Sequence, residues 1–214
     1  MSIAELPERS PTATDFSPSV PTVKDVRSNF SPEDRTKSTF KGMVLFIAPA
    51  ILYTAAFVGL LRTNGWEANL LCATVIAGCI DMLFIVGHDA CHQSLTPHAW
   101  LNRIIGRLAF LPSLHPYSQW DHGHNSLHHG WTNVRGWDPT FVPFSKADYD
   151  RLPALRRWME RVYRSPLGMG LYYLVENWGK YAVYPDLERL PKVHRTIHTI
   201  DRAMVTVYLV LEQA

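Results

Sequence analysis

Five of the chain's ten histidines fall into two tight groups, and their spacing is that of metal ligands. His88 and His92 stand four apart in the stretch GHDACHQSL. On a helix that interval projects both imidazoles from one face toward a shared metal. His124 and His128 in GHNSLHHGWTN repeat the interval. His129 adds a third ring turned about 100° round a regular helix, where it could serve a second metal or the far side of the first. One such pair alone is weak, since paired histidines also occur on ordinary helix surfaces. Five together exceed the three or four that a zinc ion takes, and imidazole suits iron, copper, nickel and zinc alike, so the count points to two metals.

The elements that must carry these rings are apolar helices. Met43 to Leu61 runs nineteen residues without a charge, and Asn69 to Val86 runs eighteen with Asp81 as its one ionisable group. Each matches the length a helix needs to cross a hydrocarbon core of about 30 Å. The short link from Arg62 to Ala68 forces an antiparallel hairpin, so both outer ends lie on one side of the bilayer. Lys24, Arg27, Arg35, Lys37 and Lys41 precede the first span and Arg103 and Arg107 follow the second, whereas the turn holds only Arg62. The positive-inside rule therefore predicts an integral membrane protein with both ends, and the histidine groups, on the cytoplasmic side. Asp81 reads equally as a functional intramembrane carboxylate or as a side chain reaching the interface.

Residues 1 to 40 form a separate region by composition. Pro7, Pro11, Pro18, Pro21 and Pro32 break helices there and little apolar surface is available, which predicts a disordered polar tail. Past the second span, Trp100 to Leu111 and Leu167 to Tyr184 mix apolar residues with charge and read as helices lying along the interface. A third apolar segment starts at about residue 203. The expected fold is all-α, a membrane helical hairpin followed by cytoplasmic and interfacial helices that carry the histidine groups, with residues 41 to 214 as its domain.

The two histidine stretches, placed just after a two-span hairpin and followed by SPLGMGLYYLVENW from Ser165, resemble the membrane fatty-acid desaturases and the related hydroxylases and ketolases. The resemblance runs from about Lys41 to the C-terminus. It implies two non-haem iron ions held by histidine boxes, O2-dependent desaturation of a lipid acyl chain, and an electron-donor protein of ferredoxin or cytochrome b5 type. Carried over residue by residue, it makes His88, His92, His124, His128 and His129 the metal ligands. Asp89 is a candidate to orient a ligand imidazole through its free N–H, and His122, Asn133 and Asp138 are looser candidates for the same supporting role. His98 and His115 lack a box context and read as polar interface residues.

The family pattern also has a third HxxHH box, which this sequence lacks. His194 and His198 have helical ligand spacing but precede the third apolar segment, and read as a solvated helix face. The expectation is therefore an N-terminal fragment, inactive as it stands. A carotenoid ketolase or hydroxylase of the same class, or an inactive membrane fragment, is the alternative. An intramembrane metalloprotease of HExxH type fits less well, because Asp89 replaces the glutamate and the second histidine group has no use there. Cys72, Cys79 and Cys91 match neither a disulfide framework nor a zinc knuckle, and Cys91 reads as a small buried apolar residue. A formal net charge of +2, without basic runs interleaved with aromatics, gives no nucleic-acid footprint.

Overall fold

The computed structural model describes residues 22–33, 36–134, 137–138, 140, 144–183 and 195–212. Residues 1 to 21 of the tail expected over residues 1 to 40, together with Arg35, Tyr184 and His194, lie outside them. The chain divides into two compact units, Met1–Lys37 and Ser38–Ala214. In the first, Val23–Ser28 (α1) is a six-residue helix. Its start is fixed by a capping box in which Thr22 and Asp25 each accept the other's backbone N–H.

The second unit is all helical among its described residues. Thr39–Arg62 (α2) and Trp66–Cys91 (α3) form the predicted hairpin. Ser38 caps α2 by accepting the Lys41 N–H, and Thr63 and Asn69 bond across the turn at 2.6 Å. Both helices are long and apolar enough to span a membrane, with mean hydropathy 2.3 over their best window. Only 6% of that window in α2 and 22% in α3 is buried against protein. Leu45, Ile51, Leu70, Leu71 and Ile85 stand at least half exposed, so the apolar surface runs round the helices as lipid contact requires. At 1.5 Å per residue α3 extends about 39 Å, longer than the hydrocarbon core, and its last turn carries His88 clear of the apolar stretch. Asp81 is exposed two turns earlier.

Ala99–Phe110 (α4) packs back on α3, bringing Leu83, Val86, Ala90, Leu95, Ile105 and Ala109 into one core. The connection is pinned by a buried pair: Asn102 Oδ1 accepts the Thr96 N–H at 2.9 Å and its amide donates to the Thr96 carbonyl at 3.0 Å. Gly87 sits where the Phe110 ring lies on α3. A Cβ there would be 2.5 Å from that ring, so the glycine sets how closely α4 approaches the turn bearing His88. On the other face of α4, Trp100, Ile104 and Leu108 form an exposed apolar stripe, as an interfacial helix presents.

Tyr117–Asp121 (α5) runs directly into a π-helical segment, His122–His128 (π1). Lys146–Arg151 (α6) and Ala154–Tyr163 (α7) follow, then Met169–Tyr172 (α8), which continues into a second π segment, Tyr173–Val183 (π2). The interfacial helix expected from Leu167 is thus present from Met169 but widens after one turn. The third apolar element, Arg195–Glu212 (α9), begins eight residues earlier than the hydropathy suggests and packs on α5.

Candidate metal centre

The last turn of α3 supplies the first pair of rings. His88 lies inside the helix and His92 is its C-cap residue, with its backbone N–H still bonded to the His88 carbonyl. Their Nε2 atoms are 3.2 Å apart. His88 Nδ1 meets Asp89 Oδ1 at 3.0 Å, so Nδ1 carries the proton and Nε2 presents its lone pair.

The second group has a different backbone. The His129 N–H donates to the carbonyl of His124, five residues back, which is the π pattern in place of the α pattern that the spacing predicts. The wider turn makes His129 the partner of His124 along the helix face. Their Nε2 atoms are 3.0 Å apart and their ring centroids 4.6 Å, against 5.4 Å for His124 and His128. The expectation that His128 pairs with His124 while His129 points about 100° away is corrected accordingly.

Between the groups, ring centroids are 4.9 Å apart for His88 and His124, 5.1 Å for His92 and His124, and 4.9 Å for His92 and His129. Donor nitrogens of His88, His92 and His124 all lie within 4.8 Å of one another. The five imidazoles form one continuous cluster. Burial, followed by the neighbouring imidazoles His88, His129, His92 and His128, pushes His124 down to about 3. Burial and then His88 and His129 lower His92 in the same way. Both rings are neutral at physiological pH, the form in which a ring nitrogen can bind a metal.

His128 is oriented from behind. Its Nδ1 donates to Asp138 Oδ1 at 2.9 Å, and the Asp138 side chain is fully buried. The same carboxylate accepts the Asn133 N–H at 2.7 Å and the Thr140 N–H at 2.8 Å. Burial alone would raise the Asp138 pKa, but these hydrogen bonds outweigh it and hold the carboxyl below its usual range. Asn133 contributes through its backbone, at φ 62°, a conformation asparagine tolerates better than most residues. His122 opens π1 half-buried and is one of the groups lowering Asp121, whose carboxyl burial raises.

Two supporting residues escape sequence reasoning. Trp120 stacks on His124 with centroids 4.3 Å apart and planes 20° from parallel. The interval of four to His124 was a usable signal, because such pairs meet on a helix. Asn125 donates to the Cys91 carbonyl at 3.2 Å and to Asp121 at 2.5 Å, tying π1 to the end of α3. Nothing in the sequence marks it out. Cys91 itself is a free, buried thiol, as read.

His115 is not an interface residue. It is 6% exposed, and burial pushes it down to about 4. Ser113 donates its hydroxyl to the Phe110 carbonyl, which leaves its oxygen to accept from His115 Nδ1 and leaves His115 Nε2 to accept the Tyr173 hydroxyl proton. This relay forms part of the wall of a cavity of about 230 Å³ that also meets Phe84, Trp120, Trp178, His88 and His124. Pro116, Gln119, Gly123, Thr140 and Asn177 complete its lining.

The sequence profile of the family "Fatty acid desaturase" matches residues 64–211. The chain belongs to the fatty acid desaturase family. It is 34% identical over 120 residues to an sn-1 oleoyl-lipid 12-desaturase of Picosynechococcus, an alignment covering 55% of this chain and 34% of that one. To a chloroplastic omega-6 fatty acid desaturase of Spinacia oleracea it is 31% identical over 132 residues, 62% of this chain and 28% of the other. An omega-3 fatty acid desaturase of Caenorhabditis elegans is 38% identical over 80 residues, 37% of this chain and 20% of that one. This desaturase-family chain therefore aligns with between 20% and 34% of the length of these curated relatives.

Proposed function

We propose that His88, His92, His124, His128 and His129 hold two non-haem iron ions and that the chain serves O2-dependent desaturation of a lipid acyl chain. The observation that carries this reading is the convergence of two Nε2 pairs, at 3.2 and 3.0 Å, beside an apolar cavity. A metal–imidazole bond of about 2.0–2.1 Å sets neighbouring donor nitrogens about 2.9–3.4 Å apart for angles between 90° and tetrahedral. Both pairs fall in that interval, and neutral imidazoles suit iron. Two irons sharing five imidazoles keep positions open for O2, water or further protein donors.

Iron and O2 would supply the oxidant that removes hydrogen from an unactivated methylene, which no side chain can do. This chain's residues do the rest. Phe84, Trp120 and Trp178 present an apolar wall along which methylenes lie while water is excluded. Asp89 and Asp138 orient His88 and His128 and fix their tautomers. The hairpin delivers the cavity to lipid, and the charge bias around it supports a cytoplasmic address for the cluster. Electrons from a ferredoxin or cytochrome b5 type donor would arrive from the aqueous side, where His129 is the exposed member of the five.

The relatives' names concern acyl lipids, which favours that substrate over a carotenoid. The expected inactivity of the chain alone, with residues 41 to 214 as its domain, belongs to the same proposal. Purified in lipid nanodiscs and supplied with ferrous iron, the chain should bind about two irons, as measured by metal analysis. Binding of none, or of one zinc in preference, would remove the oxygen-chemistry reading. Lipid analysis of cells carrying a full-length homologue with this site should show changed acyl double bonds and unaltered carotenoids.

A further inference from the structure

Helix α9 reaches the start of the ligand-bearing helix with a carboxylate that the proposed chemistry does not use. Asp201 is 2% exposed. One of its oxygens accepts Arg107 Nε from α4 at 2.7 Å, and the other accepts the Ser118 N–H at 2.9 Å. Ser118 is the second residue of α5, one of the amides that a helix leaves without an internal partner, and the cap residue Pro116 has no side chain that could serve it. One turn before Asp201, His198 Nδ1 lies 2.8 Å from the Ser118 hydroxyl. The Arg107 guanidinium also sits over the ring of Tyr117, 5.0 Å from its centroid. Two other elements, α4 and α9, thus close on the first two residues of α5. His198, read from the sequence as part of a solvated face, is buried in this knot.

Position at this point matters because α5 has five residues and cannot hold itself in place. It continues without interruption into π1, so its N-terminus sets where His124, His128 and His129 begin. The far end of the same segment is tied to α3 by Asn125. A buried ion pair contributes little net stability, since desolvation offsets most of the attraction, and its plausible value is in selecting one arrangement. We infer that Asp201, assisted by His198, is a positioning residue for the metal centre, fixing the register in which the π1 imidazoles meet those of α3. This inference rests on the metal reading given above.

The other end of α9 provides a matched control. There Glu212 accepts hydrogen bonds from Tyr53 and Tyr208, anchoring the same helix to α2. In the full chain in nanodiscs, titrated with cobalt(II) as a spectroscopic stand-in for iron, Asp201→Asn should weaken binding about tenfold or more and alter the ligand-field bands. Glu212→Gln should leave affinity and bands unchanged even where it lowers the unfolding temperature. Asp201→Glu, which keeps the charge but displaces the oxygens that meet Arg107 and the Ser118 N–H, should shift the bands in the same direction by less, and it decides the matter if Asp201→Asn does not fold. Wild-type bands and affinity in Asp201→Asn, or in Asp201→Glu where that is the folded variant, would reduce Asp201 to a structural role. Equal spectral changes in Glu212→Gln would do the same. Failure of the wild type to bind cobalt would instead sink the metal reading itself.

Discussion

The end of α3 and the start of π1 bring histidines to the same place by unlike means. In α3 the rings sit on a regular helix whose direction is set by a well-packed hairpin, and the nearest support is Asp89, a neighbour in sequence whose side chain is 46% exposed. In π1 the backbone is widened and the helix before it is one turn long. There the support is buried and long-range: Asp138 behind His128, Trp120 on His124, Asn125 to the end of α3, and Asp201 at the root of α5. A regular helix delivers two ligands cheaply, whereas an irregular one depends on partners gathered from elsewhere in the chain.

Removing a ligand from each region is the strongest way to break the comparison. His92→Ala and His124→Ala should each abolish binding of one or both irons, measured by metal analysis of the purified chain, while membrane insertion is unaffected. His124 touches all four other rings, so its loss should take both metals. Retention of two irons in either variant would strike that residue from the ligand set.

Acid tests the packing beneath π1. His115 is held neutral in the fold, with a pKa near 4 against about 6.5 in the unfolded chain. Above pH 6.5 both states are neutral and the contribution is complete. As pH falls below 6.5 the unfolded state takes the proton first, and stability is lost progressively until the folded state also titrates near 4. The loss amounts to about 3 kcal/mol. Unfolding midpoints of the metal-free chain between pH 7 and pH 4 should show this slope on top of that from His124 and His92, which burial also lowers, and His115→Gln should make the profile shallower; an unchanged slope would place the acid-sensitive groups elsewhere.

What was legible beforehand follows the same division. Apolar runs of bilayer length marked α2 and α3, because lipid imposes a composition that needs no tertiary information. His88 and His92 were legible because α3 stays α-helical to its end. The register of π1 was not: one extra residue per turn leaves no composition signal, and a histidine spacing that fits an α-helix also occurs on a wider one. His198 was misread for a related reason. Its burial comes from Ser118, eighty residues away, and a helix pattern reports only its own periodicity. Asp138 could be named as a candidate, but two of its three donors, the Asn133 and Thr140 N–H groups, come from a loop whose path no local rule predicts.

The carboxylates behind the rings give the finest test of the contrast. Asp138→Asn keeps the size of the side chain but removes one acceptor from a fully buried site that serves His128, Asn133 and Thr140 together. Metal affinity should fall about 10- to 100-fold, the usual cost of losing such an orienting partner. Asp89→Asn should cost only a few-fold. Its oxygen meets one ring from an exposed position, where water can replace it and where the helix already aims His88. Cobalt titrations of the two variants side by side measure the difference. Equal losses would mean that α3 relies on its adjacent carboxylate as heavily as π1 relies on its buried one, and that backbone regularity does not decide how much support a ligand helix needs.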